Sequence, residues 1–156
     1  MTKSQSLRAD FTRAVTRLDE ALALPKDPIV RDSAIQRFEI SLELCWKFLK
    51  AYLEEQHNAL CTSPRTCFRS AFRHGVIDND PFWIDLTVLR NYTVHTYNEQ
   101  LADYVDSRLA EAAGRFRAVL RRRRSKVIRK PAQASSSRSA FASLRSGVSK
   151  PSVNQP

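Results

Sequence analysis

Ile35-Gln36-Arg37-Phe38-Glu39-Ile40-Ser41-Leu42-Glu43-Leu44-Cys45-Trp46-Lys47 decides the fold class. Through this stretch and just beyond it, Ile35, Phe38, Leu42, Cys45, Trp46, Leu49 and Leu53 recur at steps of three and four. That spacing lays one apolar stripe along a helix. Glu39, Glu43, Lys47 and Lys50 fall on other faces, and Glu43 precedes Lys47 by four residues, the favourable acid-first order. Asp27 is placed to cap the helix and Pro28 sits where a missing N–H does no harm, so the pattern predicts a long helix from Pro28 to about Gln56. Phe38 and Trp46 are expected in its core face.

The same period extends in both directions. Leu7, Phe11, Ala14, Val15, Leu18, Ala21 and Leu22 predict a first helix over about Ser6 to Leu24, broken by Pro25. Ser63-Pro64 starts a short third helix that Gly75 closes. Asp80-Pro81 repeats the start signal for a fourth, with Trp83, Leu86, Leu89 and Val94 facing inward and the chain carried on to His95 and Tyr97. Asn98-Glu99 makes a turn and a fresh cap. A fifth helix with Leu101, Val105, Leu109, Ala112, Phe116 and Leu120 ends in Arg121 to Arg124, cations suited to the negative end of a helix dipole. No strand-like alternation competes. The expected fold is all-α, an up-and-down four-helix bundle over residues 5–124 with the short third helix across one end. Residues 125–156, rich in Ser, Arg and Pro, are expected to be a disordered basic tail.

The net charge of +10 suggests a nucleic-acid binder until it is located. Residues 121–156 hold 10 basic and no acidic side chains, so residues 1–120 carry 16 of each sign and are neutral. The tail is then a solvated extension or, alternatively, an RNA tether acting through counterion release. Cys45, Cys61 and Cys67 do not form a closed disulfide set, and no leader pattern opens the chain, so a reducing cytoplasm is the expected compartment. Apolar runs stop well short of the roughly 18 residues of a membrane span. Cys61, Cys67 and His74 match no paired metal-ligand spacing, and neither metal nor cofactor is expected.

Arg90-Asn91-Tyr92-Thr93-Val94-His95-Thr96-Tyr97 places a guanidinium, an imidazole and a phenol at the end of the fourth helix. An imidazole, with an ordinary pKa of about 6.5, moves protons near neutrality, and a guanidinium offers permanent charge in a fork that matches phosphate oxygens. Each residue also has a purely structural reading. Arg90 could pair with Glu39 or Glu43, His95 could bond the last helix carbonyls, and Tyr97 could be a packing aromatic like Tyr52, Tyr92 and Tyr104.

Taken together with Ile35 to Glu39, Leu42 to Lys47, Ser63-Pro64-Arg65 and Gly75-Val76-Ile77-Asp78, the segment Arg90 to Glu99 resembles the nucleotidyltransferase substrate-binding family of the HEPN superfamily. The resemblance runs in order over about residues 5 to 120. It implies a two-part toxin and antitoxin module in which a helical-bundle dimer is partnered by a minimal nucleotidyltransferase. Its active, HepT-like members cut RNA without metal through an Arg-x4-6-His motif, and the extended form Arg-x4-His-x-Tyr adds a tyrosine that receives AMP from the partner. By that resemblance Arg90 and His95 are catalytic, Asn91 supports them and Tyr97 is the modified residue; Glu39, Glu43 and Lys47 are candidates to line the cleft, their alternative reading being an ordinary charged helix face. The alternative it allows is a non-catalytic, nucleotide-binding partner of the transferase.

Cutting RNA through its own 2′-hydroxyl needs a base, an acid for the departing 5′-oxygen and positive charge against the phosphate. Five residues of straight helix turn through about 500°, so Arg90 and His95 would diverge by about 140°. The pair requires either a loosened helix over Thr93 to Asn98 or a second chain across a two-fold axis.

Overall fold

Thr2 starts the first helix by a reciprocal capping box, its hydroxyl accepting from Gln5 N (3.2 Å) while the Gln5 side chain accepts from Thr2 N (2.9 Å). In the computed structural model, which describes residues 1–122, helix α1 therefore spans Lys3–Ala23, beginning earlier than its apolar stripe alone indicates. The expected tail over 125–156 lies outside the described residues. Helix α2 spans Pro28–His57, with the Asp27 carboxylate accepting from Val30 N (2.8 Å), Pro28 in the first turn and Asn58 closing it at φ 50°. Helix α3, Pro64–Arg73, starts on Ser63 and is followed by Gly75 at φ 69°, a left-handed position that suits a residue without Cβ. Helix α4 spans Phe82–Thr93 and α5 Glu99–Arg122. Asp80 does anchor α4, its carboxylate accepting from Phe82 N (2.9 Å), although Pro81 sits just outside the helix.

Side-chain contacts give the directions. Ser4 N donates to the Glu55 carboxylate (3.0 Å), so α1 and α2 are antiparallel. Arg8 donates to the Leu120 carbonyl (2.8 Å), which sets α1 antiparallel to α5. Arg31 reaches Glu99 and Asp103, so α2 and α5 start at the same end. Thr93 meets Glu39, and Leu42 and Trp46 share a cavity with Thr87 and Arg90, so α4 runs back along α2. Helix α2 thus touches every other helix, consistent with its long stripe. The result is the all-α bundle that the apolar spacing predicts, with α3 against α2 and α4.

Aromatic rings join the helices. Phe116 of α5 lies edge-on to Phe11 of α1 (5.7 Å between centroids) and packs beside Phe38 of α2 (6.3 Å) and Trp83 of α4 (6.4 Å). Phe38 is fully buried, as expected. Trp46 corrects the expectation: it is only half-buried at the rim of the core, because its indole N–H turns outward to the Glu43 carboxylate (2.9 Å).

Two further differences concern cysteine. Cys61, just before α3, and Cys67, in its first turn, have Cα atoms 5.1 Å apart and form a disulfide, while Cys45 is buried. The three cysteines still make no closed set, since Cys45 stays free, but two of them pair. Cysteine usage therefore no longer argues for a reducing compartment, and the pairing removes the two thiolates a Cys61, Cys67, His74 metal site would need. No helix among the described residues is long and apolar enough to cross a membrane.

Candidate functional site

The fourth helix does not continue to His95 and Tyr97. It stops at Thr93, and residues 94–97 form turns. The cause lies in the threonines. The Thr93 hydroxyl shares its one proton between the Arg90 carbonyl (2.7 Å) and the Glu39 carboxylate, and the Thr96 hydroxyl donates to the Thr93 carbonyl (3.1 Å). Side chains thus take over acceptors that a helix would use, and His95 N bonds to the carbonyl of Tyr92 three residues back (3.0 Å). Asn98 then restarts the chain, its side-chain oxygen accepting from Gln100 N (3.0 Å) and Leu101 N (3.2 Å). The loosening required over Thr93 to Asn98 is present.

The turn exposes its chemistry. Tyr97 is 84 % exposed, His95 and Arg90 also face solvent, and the Tyr97 hydroxyl lies 3.4 Å from His95 Nδ1 with the rings edge to face. The structure therefore brings His95 and Tyr97 together. Arg90 lies on the helix before the turn, where beside Asn91 it lines a cavity of about 240 Å³ between α2, α3 and α4. Arg90 has no salt bridge among the described residues, so the structural reading of it as a buried partner of Glu39 or Glu43 does not hold. Tyr92 and Tyr104, by contrast, pack edge to face (6.0 Å) as expected of structural aromatics.

Of the three residues expected to line the cleft, Glu39 is held by Thr93, while Glu43 accepts from Trp46 and pairs with Lys47 (2.9 Å). Burial pushes the Glu43 carboxyl up, but bonds from Trp46 and Lys47 and the charges of Lys47 and Arg90 outweigh it and hold it below the usual carboxylate range. Glu99, bonded to Arg31, is likewise held low. His57 is pushed down by burial and by His74, whose ring lies 4.8 Å away. Each of these groups loses protons more readily in the folded chain than in the unfolded one. Their stabilisation is complete above the ordinary values and fades as pH falls through the folded ones. Thermal melts across pH should therefore decline in two steps on acidification, a first below about 6.5 from His57 and a second below about 4.5 from Glu43 and Glu99. His57→Gln should remove the first step alone.

Comparison with known proteins agrees with this architecture. Residues 7–123 match the family described as nucleotidyltransferase substrate binding protein like. The chain belongs to the nucleotidyltransferase substrate-binding family. Within it, the chain is 34 % identical over 84 residues to a protein of Haemophilus influenzae described as a probable ribonuclease HepT, an alignment covering 47 % of this chain and 56 % of that one. It thus spans little more than half the length of that relative. A protein of Thermus thermophilus, solved by crystallography, superposes with a TM-score of 0.70 at 36 % identity, over 74 % of this chain and 99 % of its own. The family membership expected from the sequence pieces that end in Arg90 to Glu99 is thereby shown.

Sequence reasoning missed one residue that positions this family member's turn. Arg31 lies in the first turn of α2, the end of a helix dipole that disfavours a cation. It is nevertheless buried, because Glu99 (2.7 Å), Asp103 (3.0 Å) and Asp32 (3.2 Å) surround it, and the bonds from Glu99 and Asp103 hold its guanidinium even more firmly protonated than usual. A cation at the unfavourable helix end was the available signal. Arg31 fixes the start of α5 and hence the turn before it. Arg31→Met should lower the melting temperature and speed amide exchange at residues 98–102 while α1 stays protected; unchanged exchange there would remove its positioning role. Among the described residues no three His, Cys, Asp or Glu side chains gather as metal ligands.

Proposed function

We propose that this protein is the toxin component of a two-part module with a minimal nucleotidyltransferase, and that it cuts RNA without a metal. The observation that carries the reading is the exposed turn after α4, where His95 and Tyr97 are in contact and Arg90, on the preceding helix, forms no salt bridge among the described residues. One imidazole takes the proton of the 2′-hydroxyl as that oxygen attacks phosphorus. The P–O5′ bond breaks, a second imidazole protonates the departing oxygen, and Arg90 lies against the phosphate charge. The products are a 2′,3′-cyclic phosphate and a 5′-hydroxyl. The cytoplasm, where RNA and a nucleotidyltransferase meet, is the compartment of action.

The second imidazole comes from a second copy of the chain. Support for a dimer lies on the α4 and α5 faces, where Val88, Tyr92 and Tyr104 remain exposed around a groove of about 240 Å³. Arg90 of one subunit then works with His95 of the other. Mixing wild type with an equal amount of His95→Ala chains, with subunit exchange, tests this. A mixed dimer keeps only one of the two imidazoles, so metal-free RNA cleavage should fall to about half that of the same wild type left unmixed; no fall would confine the site to single chains. Tyr97, exposed and beside His95, is the acceptor of AMP from the partner, with pyrophosphate leaving ATP as the phenolic oxygen bonds phosphorus. Label from ATP should enter wild type and not Tyr97→Phe. A second reading, a non-catalytic nucleotide-binding partner of the transferase, is favoured by the cavity beside Arg90, which His95 does not line.

A further inference from the structure

Two cavities lie side by side on the α2 surface and share one side chain. Trp46 borders the cavity of about 240 Å³ that holds Arg65, Arg90 and Asn91, and also a second of about 280 Å³ that holds Lys3, Lys47 and Lys50. Some cations of the bundle meet acids, as Arg31 meets Glu99, Arg115 meets Asp80 and Arg117 meets Asp19, while others, such as Arg17, Arg69 and Arg73, form no salt bridge among the described residues. Lys47 is likewise paired with Glu43. Lys3, Lys50, Arg65 and Arg90 have no such partner among the described residues, and all four stand around this one half-exposed indole. The zero net charge of residues 1–120 therefore hides a local band of cations without salt-bridge partners, with Glu43 as the acid bonded to the indole and under the charge of Arg90. Its centre is aromatic.

Cations that follow a backbone on both sides of an aromatic platform are what a single nucleic-acid strand needs: phosphates are met by charge, and a base stacks on the ring whatever its identity. The hydrogen bond from the indole nitrogen to Glu43 fixes the ring in place, which lowers the ordering cost of stacking. We propose that single-stranded RNA crosses the bundle over Trp46, one base on the indole, with the phosphates on one side held by Lys3 and Lys50 and those on the other by Arg65 and Arg90. The proposal rests on the reading of RNA as the substrate. It extends that reading by giving the strand a path that leads away from the motif, with Arg90 at the junction. Lys3, Lys50 and Arg65 bind the strand away from the reacting phosphate, since only Arg90 among the four belongs to the motif.

The test uses the full-length chain carrying His95→Ala, so that binding is measured apart from cleavage. A labelled six-nucleotide RNA of mixed sequence is titrated by fluorescence anisotropy at several KCl concentrations. Adding Trp46→Leu should weaken binding about tenfold. Lys3→Gln with Lys50→Gln, or Arg65→Gln, should flatten the slope of log affinity against log salt by about 0.7 for each phosphate contact removed. Arg17→Gln, an unmatched cation away from the path, should change neither by a comparable amount. The cations after residue 120 contribute equally to every variant. Lys3 and Arg65 are exposed, so these variants keep the fold even if Trp46→Leu does not. Equal binding by the path variants, or an equal loss with Arg17→Gln, overturns the path. Wild-type cleavage lost in His95→Ala beside unaltered binding by the path variants would sink the path and leave the nuclease. Path-dependent binding without any wild-type cleavage would do the reverse.

Discussion

Phe116→Ala is expected to destabilise the bundle by about 3–5 kcal/mol, measured as a lowered urea midpoint at an unchanged slope. Phe116 is fully buried and its ring neighbours come from α1, α2 and α4. Truncation removes the transfer energy of the ring and also leaves a hole whose walls belong to four helices. Each of those helices is fixed by other contacts, so the walls cannot close. A domain of this size has about 5–15 kcal/mol in total, so the variant should sit near its folding limit. A cost below about 1 kcal/mol would mean that the rings around Phe116 do not hold the helices together. The functional turn depends on this core, because α4 and α5, which flank the turn, are both anchored there through Trp83 and Phe116.

His95→Ala is expected to lower RNA cleavage by about 10²- to 10⁴-fold, the usual contribution of a positioned proton carrier, while leaving the urea midpoint within experimental scatter. The separation follows from what the residue touches. His95 is exposed, and its backbone bonds, N–H to Tyr92 and carbonyl from Asn98 N (3.0 Å each), survive in alanine. Its side-chain neighbour is the exposed Tyr97 hydroxyl, which loses nothing that water cannot supply. A loss of activity with equal loss of stability would point to a structural histidine instead. Tyr97→Phe should keep the fold and most of the cleavage.

The fold was legible where periodicity and caps agreed. In α2 the apolar stripe, Asp27 and Pro28 all point the same way, and the helix stands as read apart from one residue at its end. Legibility failed where a side chain competes with the backbone. Thr93 reads as an ordinary helical residue, yet its hydroxyl and that of Thr96 end α4 and create the turn that presents His95. It also failed where a face is shared. Trp46 satisfies the apolar period, but its N–H needs a partner and Glu43 lies three residues away on the outer side, so the ring stops at the rim. Of the candidate site, the identities of Arg90, His95 and Tyr97 could be named from their spacing. That His95 and Tyr97 meet on a turn while Arg90 stays on the helix beside a cavity could not, since it depends on where α4 ends. Arg65, more than twenty residues before Arg90, enters the same cavity only through the packing of α3 on α4.

The central claim, that Arg90 and His95 perform metal-free transphosphorylation, is tested most directly by digesting one defined RNA in excess chelator. Wild type, His95→Ala and Arg90→Ala are compared in parallel, and the new termini are read by mass spectrometry. Wild type should yield 2′,3′-cyclic phosphate and 5′-hydroxyl ends, and neither variant should do so at a comparable rate. Equal cleavage by all three chains, or products bearing 5′-phosphates, would contradict the account.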